Sequence, residues 1–168
     1  MLFDVDGVLT DGKIVLHADG TESKVFDIKD GTAIVWAQRL GLQVGFLSAR
    51  TSAATGQRAA QLGITLVHQG VPSKLETYDQ IADSLLLEDD QIAYMGDDIL
   101  DLPVLSRVGL AAAPADAAED VRVRVHWVSA AKGGAGAARD LIELILRAQD
   151  KWESIVASYL AVVQDQQA

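Results

Sequence analysis

Met1-Leu2-Phe3-Asp4-Val5-Asp6-Gly7-Val8-Leu9 is the stretch from which the rest of the chain can be placed. An apolar run ends in two carboxylates separated by one valine. On an extended backbone, residues two apart point to the same side. Like charges held that close are unfavourable unless a cation intervenes or one of them is protonated. A polar turn after a strand is the plainer alternative. The run predicts a buried strand over 1–5 that delivers Asp4 and Asp6 at its carboxyl end, where open α/β sheets bind ligands.

Working outward, short apolar runs recur at 43–47, 65–67, 92–95, 108–112 and 125–128. Helical patterns lie between them, at about 31–40, 52–62, 74–87, 99–106 and 115–121. Strand, helix, strand at this spacing predicts βαβ crossovers. The expected fold is α/β and Rossmann-like, a parallel sheet flanked by helices. Gly41, Gly63 and Gly109 stand where helix C-caps are expected. One segment breaks the alternation. Ile14–His17 and Lys24–Ile28 are strand-like and flank Asp19-Gly20, which predicts a β-hairpin inserted over about 12–29. A lone hairpin is marginal in water, so it should lie on the body or on another subunit. Lys132-Gly133-Gly134-Ala135-Gly136 then reads as a flexible break. After it, Leu141, Leu144, Ile145, Ala148, Trp152, Ile155, Val156, Tyr159 and Val163 recur at three- and four-residue steps. That pattern predicts one long amphipathic C-terminal helix, docked on its own core or on a neighbour. The whole of 1–168 is expected to be one domain, with a tail over 132–168.

Composition narrows the function classes. Of 168 residues 49% are hydrophobic, enough for a core. The formal charge is −10, which argues against nucleic-acid partners and against anionic membrane surfaces. There is no cysteine, so disulfides, thiolate metal sites and cysteine nucleophiles are excluded. No apolar run reaches the length of a membrane span, and Met1–Leu9 has no basic segment before its apolar residues. A cytoplasmic protein is the expectation.

Three further clusters sit at strand ends or helix starts. Ser48 and Arg50 follow the second body strand. The hydroxyl can donate to an anion and the guanidinium can fork onto a carboxylate or phosphate, although Ser in that place is most often a helix N-cap. Lys74 opens a helix, where a cation opposes the macrodipole; its presence there points to a nearby anion. Gly96-Asp97-Asp98-Ile99-Leu100-Asp101 puts three carboxylates within five residues after a glycine, a donor set for a hard cation such as Mg²⁺. A solvated acidic loop is the alternative.

In that order, Asp-x-Asp, Ser, Lys and Gly-Asp-Asp-x-x-Asp resemble the haloacid dehalogenase superfamily of phosphotransferases over about residues 1–130. Asp4–Gly12, the inserted hairpin, Lys29-Asp30-Gly31, the run at 96–103 and Gly133–Arg139 together resemble its cap-less 3-deoxy-D-manno-octulosonate 8-phosphate phosphatase family. The chain departs in three places. The family's Thr-Gly-Arg reads Ser48-Ala49-Arg50, its Arg-Asp-Gly reads Lys29-Asp30-Gly31, and only three residues precede Asp4, which would clip the first strand. The first two changes keep the hydroxyl and the charge.

The resemblance implies a Mg²⁺-dependent phosphomonoesterase acting on a sugar-acid phosphate. It makes Asp4 the nucleophile and Asp6 the general acid and base. Ser48 and Lys74 hold phosphoryl oxygens. The metal is held by Asp4, Asp97 and the backbone carbonyl of Asp6, with Asp98 and Asp101 positioning Lys74 or metal-bound water. On the substrate side it implies Arg50, with Thr10, Lys29 and Asp30 as further contacts and Arg139 closing the site from the tail. It also implies a homotetramer assembled through the hairpin, with a neighbour's hairpin standing in for a cap. Two alternatives stay open at this point: a phosphatase for a nonulosonate 9-phosphate, and a catalytically silent module that only oligomerises.

Overall fold

Leu2–Phe3 (β1) is only two residues long, yet it occupies the interior of a six-stranded sheet. In the computed structural model, which describes residues 1–165, β1 pairs on one side with Gly45–Ser48 (β4) and on the other with Ala93–Met95 (β6). Leu66–Gln69 (β5) extends the sheet beyond β4. Leu110–Ala113 (β7) and Trp127–Val128 (β8) extend it beyond β6. The order is β5-β4-β1-β6-β7-β8, and every pairing is parallel. The side chain of Val163 and residues 166–168, which belong to the expected apolar stripe and tail, lie outside the described residues.

Alternation along the short strands separates two cores. Phe3, Phe46 and Met95 share one face, which is covered by Ile28–Arg39 (α1), Ala53–Gln61 (α2) and Ala137–Ala148 (α6) through Ile34, Ala37, Ala59, Leu141 and Ile142. Leu2, Leu47 and Tyr94 share the other, covered by Lys74–Leu85 (α3), Leu102–Leu105 (α4) and Glu119–Arg122 (α5) through Tyr78, Ile81, Val104, Leu105 and Val121. Both faces are apolar because parallel sheets are covered on both sides. Gly41 and Gly63 stand just past α1 and α2 with positive φ, as expected of C-caps. Gly109 does not; the helical stretch expected at 99–106 is a 3₁₀ turn at Ile99–Asp101 followed by the one-turn α4.

The hairpin is present but its second strand is not where the apolar run predicts. Val15–Leu16 (β2) pairs antiparallel with Glu22–Ser23 (β3). The Asp19-Gly20 turn is tight, with the His17 N–H donating to the Thr21 carbonyl at 2.9 Å. That register ends the ladder before Val25, and the Asp27 carboxylate caps α1 by accepting from the Lys29 N–H. Val15, Leu16 and Val25 of the hairpin point out, Leu16 being 76% and Val25 75% exposed, whereas Phe26 packs against the core.

The single long C-terminal helix expected from periodicity is two helices, α6 and Trp152–Asp165 (α7). Asp150 between them adopts a left-handed φ of 55°, a conformation that Asp tolerates better than most residues. The break is invisible to periodicity because Ala148 and Trp152 remain four residues apart. α7 folds back on its own chain. Trp152 and Ile155 are buried, and Trp36 of α1 meets Trp152 at 5.6 Å and Tyr159 at 6.0 Å between ring centroids.

Candidate active site

β1, β4 and β6 end side by side, so the residues that follow them converge. Asp4 leaves β1 with its N–H donating to the Met95 carbonyl at 3.0 Å. The N–H groups of Leu9 and Thr10 then donate to the Val5 carbonyl, folding residues 5–10 into a tight turn. The turn requires glycine at position 7: φ is +88°, and a Cβ there would lie 2.0 Å from Asp97 Oδ2. Asp4, Asp6, Ser48, Arg50, Lys74 and Asp97 line one open cleft of about 280 Å³, with Asp98, Leu100 and Asp101 along its wall.

Lys74 is the knot of the inner wall. Ser73 caps α3 by accepting from the Glu76 N–H, which places Lys74 at the first helical position. Its Nζ lies 3.0 Å from Asp4 Oδ1 and 2.5 Å from Asp101 Oδ1. Burial alone would lower its pKa, but Asp4 and Asp101 outweigh that and hold the ammonium above its usual range. The anion that a helix-opening lysine calls for is therefore supplied by the protein itself.

Asp101 has no capacity left for another ligand. Oδ1 accepts from Lys74 and from the Tyr94 hydroxyl, each at 2.5 Å, and Oδ2 accepts from the Asp97 and Asp98 N–H groups at 3.0 and 3.2 Å. A carboxylate offers about four lone-pair sites, and all four are taken. Oxygens of Asp4, Asp97 and Asp101 do lie within 4.8 Å of one another. Chemistry nevertheless assigns a cation to Asp4 and Asp97, because binding Asp101 would cost Lys74 its anchor. Burial first, then the Asp101 charge, raises the Asp4 carboxyl to about 6; burial, then the charges of Asp4 and Asp101, raises that of Asp97 to about 8. Two crowded oxygen donors with no nitrogen or sulfur beside them fit a hard divalent cation, which would relieve that repulsion.

The outer wall comes from the hairpin, and here the structure adds residues that the sequence did not single out. Lys24 Nζ contacts both oxygens of Asp6, at 2.7 and 2.8 Å. Arg50 stands beside it, with Nε 3.6 Å from Asp6 and NH2 3.0 Å from Glu22 on β3. Strand propensity carries no signal for this. The position of Lys24 depends on the turn register, and its partner lies 18 residues back.

The remaining expected residues lie elsewhere in the chain. Thr10 is buried in the turn, where its hydroxyl accepts from the Gly7 and Gly12 N–H groups. Asp98 caps the 3₁₀ turn by accepting from the Ile99 N–H at 2.7 Å. Lys29 is exposed at the start of α1. Asp30 is buried and caps α6, accepting from the Arg139 N–H at 2.8 Å and the Gly136 N–H at 3.4 Å. The Arg139 guanidinium lies over Trp36 at 5.1 Å and pairs with Glu143 at 2.7 Å, so within one chain it does not reach the cleft. The glycine-rich segment before α6 does reach the turn over residues 5–10. The Gly134 N–H donates to the Val8 carbonyl at 2.9 Å, and a Cβ on Gly133 would lie 1.8 Å from the Gly7 carbonyl oxygen.

No family model matches the chain. Among curated proteins, the 3-deoxy-D-manno-octulosonate 8-phosphate phosphatase of Yersinia pestis is 40% identical over 153 residues, covering 91% of this chain and 82% of that protein. The protein of the same name from Escherichia coli K12 is 38% identical over 151 residues, covering 90% of this chain and 80% of that protein. Among solved structures, a phosphatase of that name from Moraxella catarrhalis, in complex with magnesium, phosphate and KDO, superposes with a TM-score of 0.92 at 33% identity, covering 94% of this chain and 91% of that one.

Proposed function

Because this chain belongs to the 3-deoxy-D-manno-octulosonate 8-phosphate phosphatase family of the haloacid dehalogenase superfamily, we propose that it hydrolyses that sugar-acid phosphate to the free sugar acid and phosphate, with Mg²⁺ as cofactor. The observation that carries the reading is Lys74, buried between Asp4 and Asp101 at the ends of the sheet strands. It keeps a strong cation fixed where a phosphoryl group would lie against Asp4.

Asp4 is the nucleophile. Its carboxylate oxygen attacks phosphorus, the phosphorus–sugar oxygen bond breaks, and an aspartyl-phosphate forms on Asp4. Asp6 gives a proton to the departing sugar oxygen, then takes one from the water that releases phosphate. Ser48 and Lys74 hold phosphoryl oxygens, so charge in the transition state meets donors already in place. Asp4, Asp97 and the backbone carbonyl of Asp6 would hold Mg²⁺, which would supply charge to offset the carboxylates and the transferring group. Asp101 and Asp98 serve the wall that positions Lys74. Arg50 at the rim is the cation for the substrate's carboxylate.

Assembly completes the reading. The outward apolar residues of the hairpin, Val15, Leu16 and Val25, form a surface that a monomer leaves in water. A closed homotetramer built through the hairpins would cover it, and with no cap domain among the described residues a neighbour would wall the cleft mouth. Lys29 and Arg139 would serve the substrate side only of a neighbouring subunit's cleft in such an assembly, whereas Thr10 and Asp30 are buried in hydrogen bonds of their own chain and are not substrate contacts. Among the described residues no helix is long and apolar enough to cross a membrane, and we place the protein in the cytoplasm.

Incubation with a panel of sugar phosphates and Mg²⁺ tests the reaction. Release of phosphate from the eight-carbon sugar acid, and its loss with EDTA, are expected. Equal turnover of every sugar phosphate offered would remove the substrate assignment. Activity that survives chelation would remove the metal.

A further inference from the structure

A buried lysine on an otherwise exposed hairpin needs a reason. The ladder is two residue pairs long and its apolar side chains face outward, yet the Lys24 side chain is 0% exposed. Its nearest acidic neighbour in sequence is Glu22, on β3, which ends one residue before Lys24. The amine nevertheless lies 4.0 Å from Glu22 and 2.7 Å from Asp6. Glu22 in turn holds Arg50 at 3.0 Å, and Arg50 lies 3.6 Å from Asp6. Two cations and two carboxylates thus form a closed ring with Asp6 as one member. Oε1 of Glu22 is buried with no hydrogen-bond partner among the described residues. The ring therefore leaves one of its own carboxylate oxygens unsatisfied while Lys24 serves both oxygens of Asp6.

We propose that Lys24 is a positioning residue for Asp6, fixing from the hairpin of the same chain the carboxylate that handles the leaving-group proton. The inference rests on the phosphomonoesterase reading above. A carboxylate gripped on both oxygens cannot turn about its terminal torsion, which is otherwise broad. Proton transfer to a leaving oxygen needs the donor within hydrogen-bond reach. A carboxylate free to swing toward Arg50 would meet that condition only part of the time. Lys24 supplies orientation, and the hairpin thereby belongs to the catalytic machinery of its own subunit before any neighbour is considered.

Steady-state kinetics of Lys24→Met and Lys24→Arg, alone and combined with Asp6→Asn, test this on two substrates: the sugar-acid phosphate, and an aryl phosphate whose leaving group needs no proton. Lys24→Met should lower kcat on the sugar phosphate about 10- to 100-fold, with KM changed less than about twofold. The loss on the aryl phosphate should be smaller, and Lys24→Arg should restore most of it. With Asp6→Asn already present, Lys24→Met should have no further effect on the aryl phosphate, since the partner it orients has lost its function. A full additional loss in that background would make Lys24 an anchor of the hairpin and overturn the proposal. So would a rise in KM with kcat unchanged, which marks a substrate contact. Unchanged kinetics would overturn it outright. Light scattering and thermal melting accompany each variant. If Lys24→Met changes either, Lys24→Gln, which keeps a donor, takes its place in the same cycle. An inactive wild-type protein would strike the reaction itself and not the role of Lys24.

Discussion

Two lysines face Asp4 and Asp6 from opposite walls of the cleft, and they are held in opposite ways. Lys74 grows out of the body: α3 places it, Tyr94 and Asp101 are fully buried beneath it, and every acceptor site of Asp101 is used. Lys24 comes from a hairpin with two residue pairs, whose outer face is apolar and bare. The inner wall is complete in one chain. The outer wall is only as firm as whatever covers the hairpin from outside. Rigid chemistry and adjustable access have been assigned to different pieces of the polypeptide.

The contrast can be broken from the inside first. Asp4→Asn should abolish turnover, by a factor of about 10³ or more, because the nucleophile is gone. The fold should persist with stability equal or slightly higher, since the exchange is nearly isosteric and relieves the crowding with Asp97. Phosphate release and a thermal melt check the two halves, and near-normal activity would end the covalent mechanism. Asp101→Asn comes next. An amide cannot accept at both ends, so either the Lys74–Tyr94 side or the two backbone N–H groups lose an acceptor. Stability should fall by about 1–3 kcal/mol, and kcat/KM by about 100-fold through the misplaced ammonium. Urea titration with the phosphatase assay reads both.

The outer wall should fail differently. Leu16→Glu combined with Val25→Glu puts like charges on the apolar face. Mass by light scattering should drop, and kcat on the sugar phosphate should fall by about tenfold as the hairpin loosens its hold on Asp6. Activity on a good aryl leaving group should fall less. A fully active monomer would show that the hairpin needs no cover. The smallest effect belongs to Asp30, away from both walls. Burial, outweighing the N–H groups of Arg139 and Gly136, raises its carboxyl to about 6. A carboxyl raised above its unfolded value costs stability once it must ionise. The cost is absent below about pH 4 and grows as pH rises to about 6. Asp30→Asn escapes it, so the variant should gain on the wild type by at most about 2 kcal/mol between pH 4.5 and 7. A constant difference across that range would refute the assignment.

The sheet and the inner wall were legible in the sequence because short-range rules govern them. Asp4, Ser48, Lys74 and Asp97 each sit at the end of an apolar run or the start of a helical one, and parallel topology brings such ends together. Lys24 was not legible. A one-residue change of hairpin register would send its side chain to the other face, and no local pattern names Asp6 as its partner. The split between α6 and α7 escaped for a related reason: a three-residue break that keeps the four-residue step leaves the apolar stripe in phase. Asp30 drew attention through its motif, but its bond to the start of α6 spans 109 residues, far beyond what neighbouring residues can report.

The placement of β1 has a consequence in time. The strand that carries Asp4 precedes both of its neighbours in the chain and lies between β4 and β6, so its second backbone partner does not exist until residue 95 has been synthesised. The turn behind Asp6 waits longer, because Gly133 and Gly134 press on it from near the other end of the chain. Contacts of such long sequence separation pay their loop-closure entropy before they stabilise anything. A nascent chain can therefore form its helices and the Asp19-Gly20 turn early, while the turn over residues 5–10 reaches its final shape only after residue 134 has been made.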